Sequence, residues 1–340
     1  MSRRRDFSPF RRKRCIKMWI FREEEIRRQV KVDESTIAAV EEGFAFLAQG
    51  AVRMPDILRI DIPEHDGEVD VKTAVVSHLD SFAVKISSGF FRNPQRGLPS
   101  GNGMMVLIRT DTGVPEAVFL DNGYLTDLRT AAAGAVAAKY LCGEEVKTAG
   151  VIGAGTQAQY QVRALARVRS FDKLRVYSPT VTRRNAFCKE MGEELGVQAI
   201  PARDPEEVVR SCQVLITATP AKQPVVRREW LHPGLHITAM GSDAEQKQEL
   251  DPDVLKAADR LVCDSKAQSR RLGELRSLIG SEREPDDVSE LGELVADGRP
   301  GRRGREEITV CDLTGTGVQD TVIAIRALHA LREQGCGFRF

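Results

Sequence analysis

Two groups of residues in this 340-residue sequence have the types and spacing to do chemistry. The first is Gly153-Ala154-Gly155-Thr156-Gln157-Ala158. It follows a short apolar run, Ala149 to Ile152, and leads into Ala158, Val162, Leu165 and Ala166 at helical spacing. Strand, glycine turn and helix in that order make a GxGxxA phosphate-binding turn. Gly153 permits the tight turn, Gly155 lets backbone approach a pyrophosphate, and Ala158 keeps helix close to strand. The free N–H groups at the helix N-terminus then face the anion. The second group is Arg59, Lys85 and Arg129, cations on or next to apolar elements. Singly each reads as a snorkelling surface side chain; converging, they would clamp a carboxylate. Asp243 stands just beyond a predicted strand, where open α/β sheets bind ligands and where a carboxylate could move a proton. A loop Asp is also commonly an N-cap or an exposed turn residue.

The next strand end bears on which dinucleotide the turn takes. An acid about 20 residues past the glycines binds the ribose of NAD, but here the strand ends in Tyr177-Ser178-Pro179-Thr180, and Arg183 and Arg184 follow. A neutral end with nearby arginines leans toward the 2′-phosphate of NADP. At the neighbouring crevice, Thr217-Ala218-Thr219-Pro220 offers small residues against which a ribose could lie.

These residues need a frame to hold them. Residues 33–49 begin with Asp33 as N-cap and place Ile37, Val40, Phe44 and Leu47 on one helical face. From 53 to 121 short strands take over: Ile57–Ile62 and Glu68–Val76 flank one turn, and Met104–Arg109 and Pro115–Leu120 flank another, with Phe82–Ser87 between. Gly89–Gly103 reads as a long Gly/Pro-rich loop. Residues 126–141 form an Ala-rich helix with Thr126 as N-cap. Beyond residue 148 strands (173–177, 197–200, 214–218, 236–239, 261–264) alternate with helices (180–195, 204–211, 251–258), the pattern of a doubly wound sheet. Residues 279–306 are charged and read as a partly mobile surface segment. Ile308–Leu313 is a last strand and Val318–Gln334 a last helix. The fold class is therefore α/β: a Rossmann-type doubly wound sheet, preceded by an α+β unit of hairpins.

Composition narrows the function. Fifty basic and 49 acidic residues leave no field that would favour nucleic acid or a membrane surface. No apolar run reaches the ~18 residues of a membrane span. Seven scattered cysteines without CxxC spacing argue against a disulfide framework or zinc site and fit a reducing cytosol. Five histidines show no metal-binding spacing, so no metal is expected. Residues 1–17 are arginine-rich and read as a disordered leader, with Met18 as a candidate start.

In their order along the chain, these segments resemble the ornithine cyclodeaminase/mu-crystallin family of NAD(P)-dependent enzymes. The carrying segments are Phe82-Ala83-Val84-Lys85, Leu98-Pro99-Ser100, Thr112-Gly113-Val114-Pro115, Leu125–Ala132, Gly153–Ala158, Ile216–Pro220, Gly241-Ser242-Asp243 with Glu249-Leu250, and Thr314-Gly315. The resemblance implies hydride transfer at the α-carbon of an amino acid or cyclic imine. Asp243 and Lys85 would be catalytic, with Asp243 handling the proton on nitrogen. Arg59, Lys85, Arg129 and Gly315 would hold substrate. Ser100, Arg129, Gly153, Gly155, Thr156, Gln157, Ala158, Ser178, Arg183, Thr217, Met240, Gly241, Ser242 and Thr314 would contact NAD or NADP. It further implies a homodimer or higher oligomer pairing through a hairpin-rich domain (18–130 with 315–340) set against a Rossmann domain (131–314), and the cysteine pattern leads us to expect a cytoplasmic location. Gly89–Pro94, Gly97–Met105 and Leu120–Thr126 look most like the ectoine-utilisation branch, associated with breakdown of ectoine and hydroxyectoine through relatives of 2,4-diaminobutyrate. Lys72-Thr73-Ala74 replaces the family's usual Met-Pro, and Asp70 stands near the position of a glutamate for the distal amine. The family also contains ornithine cyclodeaminase, which forms proline with loss of ammonia, and mu-crystallin, a dinucleotide-dependent binding protein. Both remain alternatives at this point.

Overall fold

The structure, a computed structural model, describes residues 18–281, 288–298 and 301–340; the basic leader lies outside them. The chain begins β1 (Trp19–Arg22), α1 (Glu23–Gln29), α2 (Glu34–Ala48), β2 (Val52–Arg53), β3 (Leu58–Ile62), β4 (Gly67–Thr73), β5 (Val75–Val76), β6 (Ser81–Phe90), β7 (Gly101–Arg109), β8 (Pro115–Leu120) and α3 (Tyr124–Leu141). It continues β9 (Thr148–Ile152), α4 (Thr156–Val168), β10 (Lys173–Tyr177), α5 (Val181–Leu195), β11 (Gln198–Pro201), α6 (Pro205–Ser211), β12 (Val214–Thr217), β13 (His236–Ala239) and α7 (Pro252–Ala257). It closes with β14 (Arg260–Cys263), α8 (Lys266–Leu272), β15 (Ser289–Glu290), α9 (Leu291–Asp297), β16 (Thr309–Asp312), α10 (Gly317–Glu333) and β17 (Phe338–Arg339).

Two sheets result. Strands β9 to β16 build an eight-stranded sheet in the order β11-β10-β9-β12-β13-β16-β14-β15. All its ladders are parallel. The order reverses between β9 and β12, the switch point where such sheets bind ligands. The second sheet is mixed, in the order β17-β1-β8-β7-β6-β4-β3. Helix α10 lies on one of its faces, where Thr321 Oγ1 donates to Ala74 O and accepts from Ala83 N–H. The fold is thus a Rossmann-like parallel-sheet domain with a second, hairpin-built domain.

Strand alternation gives the mixed sheet two unlike faces. Arg59, Asp70 and Ser87 stand in register across β3, β4 and β6, as do Lys72, Lys85 and Met105 across β4, β6 and β7. These point toward α10 and the interior. The opposite face carries Leu58, Ile60, Ile86, Met104 and Leu120, all exposed.

Several local expectations change in three dimensions. Helix α3 starts at Tyr124 after Gly123 in a left-handed turn, so Thr126 is not its cap. Instead the Asp121 carboxylate accepts from Leu125 N–H at 2.7 Å. The expected loop 89–103 is shorter, because Gly101–Gly103 pair with Ser87–Gly89 and extend the hairpin. Within 279–306 the described part is partly helical: Leu291 is buried, and Gly292 sits where a Cβ would collide with Phe44 O. Residues 282–287 and 299–300 lie outside the described residues. The Ala run of α3 is buried along its length, and Gly134 leaves room for the Gln161 amide of α4. Among the described residues no helix is long and apolar enough to cross a membrane.

Candidate active site

The glycine turn lies at the switch point. Gly153 has φ +119° and donates its N–H to Tyr177 O. A Cβ there would collide with Ala218 O, so only glycine lets β9 turn this close to β12. Gly155 is the N-cap of α4 with no capping side chain, and space is open where its Cβ would be. Thr156 and the α4 N-terminus are exposed, Ala158 is buried, and Gln157 donates to Asp127 Oδ1 at 3.2 Å. Unfilled N–H groups beside a cradle without side chains fit a dinucleotide pyrophosphate.

The rim of the cradle is tied together by one carboxylate to which the sequence reading gave no role. Glu249, fully buried, accepts from Thr217 Oγ1, Thr219 N–H, Thr219 Oγ1 and Gly241 N–H, each at 2.7 Å. Burial pushes its pKa up while the Thr217 and Thr219 hydrogen bonds oppose that rise. It clamps the loops after β12 and β13, and with them Met240, which donates N–H to Thr217 O at 3.0 Å. Ser242 turns its hydroxyl to Lys247 O. Asp264 performs the same task after β16, accepting from Thr314 N–H, Thr314 Oγ1 and Gly315 N–H. At the β10 end Ser178 is buried, Arg183 is exposed, and Arg184 reaches Ser178 O at 3.4 Å. Ser100 lies exposed at the start of β7, its carbonyl accepting from Phe90 N–H.

Against the Thr314–Gly315 loop lies a buried cluster of charge. Asp320 in the first turn of α10 is fully buried, with Lys85 Nζ at 3.1 Å and Arg129 Nε at 3.0 Å. Arg129 also donates to Gln319 Oε1 at 3.0 Å. Gly315, φ +79°, passes so near that a Cβ would strike the Arg129 guanidinium. Lys72 completes the group: it is buried and sits opposite Lys85. Its ammonium donates to Gly315 O at 3.1 Å and Thr314 O at 3.4 Å. Burial and the Arg129 charge push Lys85 down to about 7, against the pull of Asp320. The same two causes lower Lys72.

Asp243 lies on the loop after β13, its side chain 41% exposed, with Oδ1 at 2.6 Å from Lys247 Nζ. Burial raises its pKa, but Lys247 and then Lys72 outweigh that and hold it below the usual carboxylate range. Lys247 also approaches Glu68 at 3.7 Å and stands over the Phe91 ring. Arg59 does not join Lys85 and Arg129. It is taken up by Glu68, by Asp61 at 2.9 Å and by Asp70 at 3.6 Å, and Lys247 links this group to Asp243.

The structure therefore brings together Lys85, Arg129, Gly315, Thr314 and the loop bearing Asp243, and sets Arg59 apart among acids. Lys247, Asp264, Gln319 and Asp320 were missed, and Lys72 and Glu249 entered only as parts of the resemblance, without a role. Two had a readable signal: Asp320 is an acid in the first turn of a predicted helix, between the apolar Val318 and Val322, and Lys247 falls four residues after Asp243. Among the described residues no group of three or more His, Cys, Asp or Glu is placed to hold a metal ion.

A glycine turn at the switch point of a doubly wound sheet stands where such folds bind dinucleotides. The profile of the ornithine cyclodeaminase/mu-crystallin family matches residues 17–334, and the chain belongs to that family. A Rhizobium meliloti protein named as a dehydrogenase is 48% identical over 326 residues, 95% of this chain and 99% of that protein. An archaeal alanine dehydrogenase, solved as a dimer with bound NAD, superposes with TM-score 0.88 at 33% identity, over 95% of this chain and 99% of the other. The Thermococcus litoralis Delta(1)-pyrroline-2-carboxylate reductase, solved with NADH and L-proline, gives TM-score 0.89 at 30% identity, over 94% and 99%.

Proposed function

We propose that the chain is an NAD(P)-dependent oxidoreductase acting at the α-carbon of an amino acid or its imine. The observation that carries this reading is the pair Lys85 and Arg129, buried on Asp320, with Arg129 against Gly315 on a strand-end loop of the same sheet that carries the glycine cradle and Asp243. A bound nicotinamide supplies or accepts the hydride. The protein does the rest. Lys85 and Arg129 hold the substrate carboxylate, which fixes the α-carbon in the cleft. Asp243, kept ionised by Lys247, faces the substrate nitrogen, stabilises its positive form and exchanges its proton. Glu249 and Asp264 keep the strand-end loops from spreading. Ser178 and Arg183 support a lean to NADP, since no acid waits at that strand end. The three segments that resemble the ectoine-utilisation branch support a place in ectoine or hydroxyectoine breakdown.

The test has two stages. Cofactor fluorescence is titrated with NADPH and NADH, and the complex is then assayed on cyclic imines such as Δ1-pyrroline-2-carboxylate and on 2-oxo acids with ammonia. The expected result is oxidation of the reduced cofactor at substrate-dependent rates. Because the Lys85 ammonium binds the carboxylate and titrates near 7, KM should be lowest below that pH and rise above it. Cofactor binding with no turnover on any imine would instead favour a binding protein.

The open apolar face of the mixed sheet supports a second copy of this chain as its partner. Leu58, Ile60, Ile86, Met104 and Leu120 lie on it, and contiguous exposed apolar surface marks interaction sites. Light scattering should give twice the 37.6 kDa chain mass, and Ile60→Asp with Ile86→Asp should halve it. A monomeric parent protein would remove this proposal.

A further inference from the structure

We infer that Glu274 and Asp312 share a buried proton that decides how firmly the dinucleotide loops are held, with Glu274 a positioning residue acting through Glu249. This rests on the reading above, in which the strand-end loops of the parallel sheet take a dinucleotide.

Four carboxylates are linked at the base of those loops. Glu249, Asp264, Glu274 and Asp312 are each 1% exposed or less. Asp312 ends β16 and accepts from Glu274 N–H at 2.9 Å and from the Ser269 hydroxyl. Glu274 accepts in turn from Glu249 N–H at 2.7 Å and Leu250 N–H at 3.3 Å. Glu249 then gathers Thr217, Thr219 and Gly241 on the loops after β12 and β13. Asp264, whose own N–H donates to Asp312 O, gathers Thr314 and Gly315 after β16. The joint has no slack, because a Cβ on Gly273 would strike Asp312 and Ser269.

This chain of acids is short of positive charge. Among the described residues no cation stands within ion-pair distance of any of the four. The elements packed against Glu274 and Asp312 turn their charges elsewhere. On α7, Asp253 and Lys256 are exposed and pair with each other. On α8, Arg270 and Arg271 are exposed, Lys266 leans to Glu293 at 3.9 Å, and Glu290 accepts from Lys266 N–H. Arg276, on the same short turn as Glu274, donates to the Ala244 and Lys247 carbonyls. From α3 and β4, Arg129 is taken by Asp320, and Lys72 by the carbonyl of the Gly315 that it shares with Asp264. Burial pushes the Cys263 and Cys311 thiols up, so they stay neutral. Like charges crowded at low dielectric cannot all ionise, and a retained proton removes the conflict. Asp312 Oδ1, buried and without a hydrogen-bond partner, is the free position for it. Burial and then the Asp312 charge push Glu274 up; burial likewise pushes Asp312 up against its Ser269 hydrogen bond. The pair titrates as a unit, losing the proton as pH rises through about 7 to 8.

The sign follows from the linkage. With the proton in place the hydrogen-bond chain from Asp312 to Gly241 holds the rim. Once it leaves, Glu274 and Asp312 repel Glu249 and Asp264, the loops loosen, and cofactor affinity falls. An unfolded chain ionises both acids in the ordinary carboxylate range. The stability that the pair contributes therefore declines as pH climbs from that range to about 8 and is level above it.

Dissociation constants for NADH and NADPH are measured by fluorescence on the full-length protein at about pH 7 and about pH 9, either side of that window. The parent should bind at least about fivefold weaker at the higher pH, the lower end of ordinary coupling between sites. Glu274→Gln keeps an oxygen for Glu249 N–H and cannot ionise. It should flatten the dependence, bind tighter than the parent at the higher pH and resist urea better there; Asp312→Asn should act in the same direction. A merely structural Glu274 would give the opposite, a variant weaker at both pH values. Infrared difference spectra of the parent should show the C=O band of a protonated carboxyl at the lower pH and its loss at the higher, and Glu274→Gln should lack that change. If neither variant folds, the parent's band and pH dependence decide alone. Affinity that ignores pH, or absence of the band, would overturn the inference. Absence of dinucleotide binding at both pH values is a distinct result, and would remove the underlying reading as well.

Discussion

Asp243→Asn should leave dinucleotide affinity within about twofold of the parent while turnover falls by about 10²–10⁴, the usual share of one positioned acid or base. The substitution keeps the side-chain shape and an oxygen able to accept from Lys247, which stands 2.6 Å away. It removes the negative charge and the site that exchanges a proton with the substrate nitrogen. The cradle should not notice, because its rim is held by Glu249 through Thr217, Thr219 and Gly241 rather than by Asp243. The sign of the acid limb follows from the Asp243 environment. Lys247 and Lys72 hold this carboxylate below its ordinary range, so the ionised form persists as pH falls and is lost only well into acid. Stopped-flow turnover and equilibrium cofactor titration, measured separately, check the prediction. Turnover equal to the parent's would remove Asp243 from the proton path.

Arg129→Leu should raise KM by about 10- to 100-fold, in line with the roughly 1.5–3 kcal/mol of a hydrogen bond to a charged group, and should also weaken the fold. The guanidinium serves two partners. It pairs with the fully buried Asp320 at 3.0 Å and stands against Gly315 at the edge of the cleft. Removing it leaves Asp320 with Lys85 alone, and breaking a buried pair costs about 3–5 kcal/mol. Urea denaturation measures that loss, and steady-state kinetics under conditions where the variant stays folded measure the other. A stability loss with unchanged KM would make Arg129 structural and leave carboxylate binding to the lysines.

What was readable along the chain was whatever depends on near neighbours. The strand–glycine–helix turn at 148–158 is local, because the positive φ of Gly153 and the open N-cap at Gly155 follow from residue type. The same holds for Asp33, whose carboxylate caps α2 through Thr36 N–H, and for the alternation that sorts β4 and β6 into two faces. Asp243 was legible as an acid at a strand end. Helix starts and loop ends were less so. Gly101–Gly103 have turn-like composition yet pair as strand, since Ser87–Gly89 supply partners that no local pattern shows. Likewise the charged stretch around Leu291 hides a helix that buries against α2.

The tertiary structure alone decided how the charges are shared. Arg59, Lys85 and Arg129 look equivalent in sequence, each a cation on an apolar element. Arg59 is in fact neutralised by Glu68, Asp61 and Asp70 from its own hairpin, while Lys85 and Arg129 meet over Asp320, which arrives on the last helix. Lys72 reads as an irregularity in a strand until α10 and the Thr314–Gly315 loop, some 240 residues on, close over it. A buried charge acquires its role from its partners, and those partners come from segments that only the folded chain brings within a few ångströms.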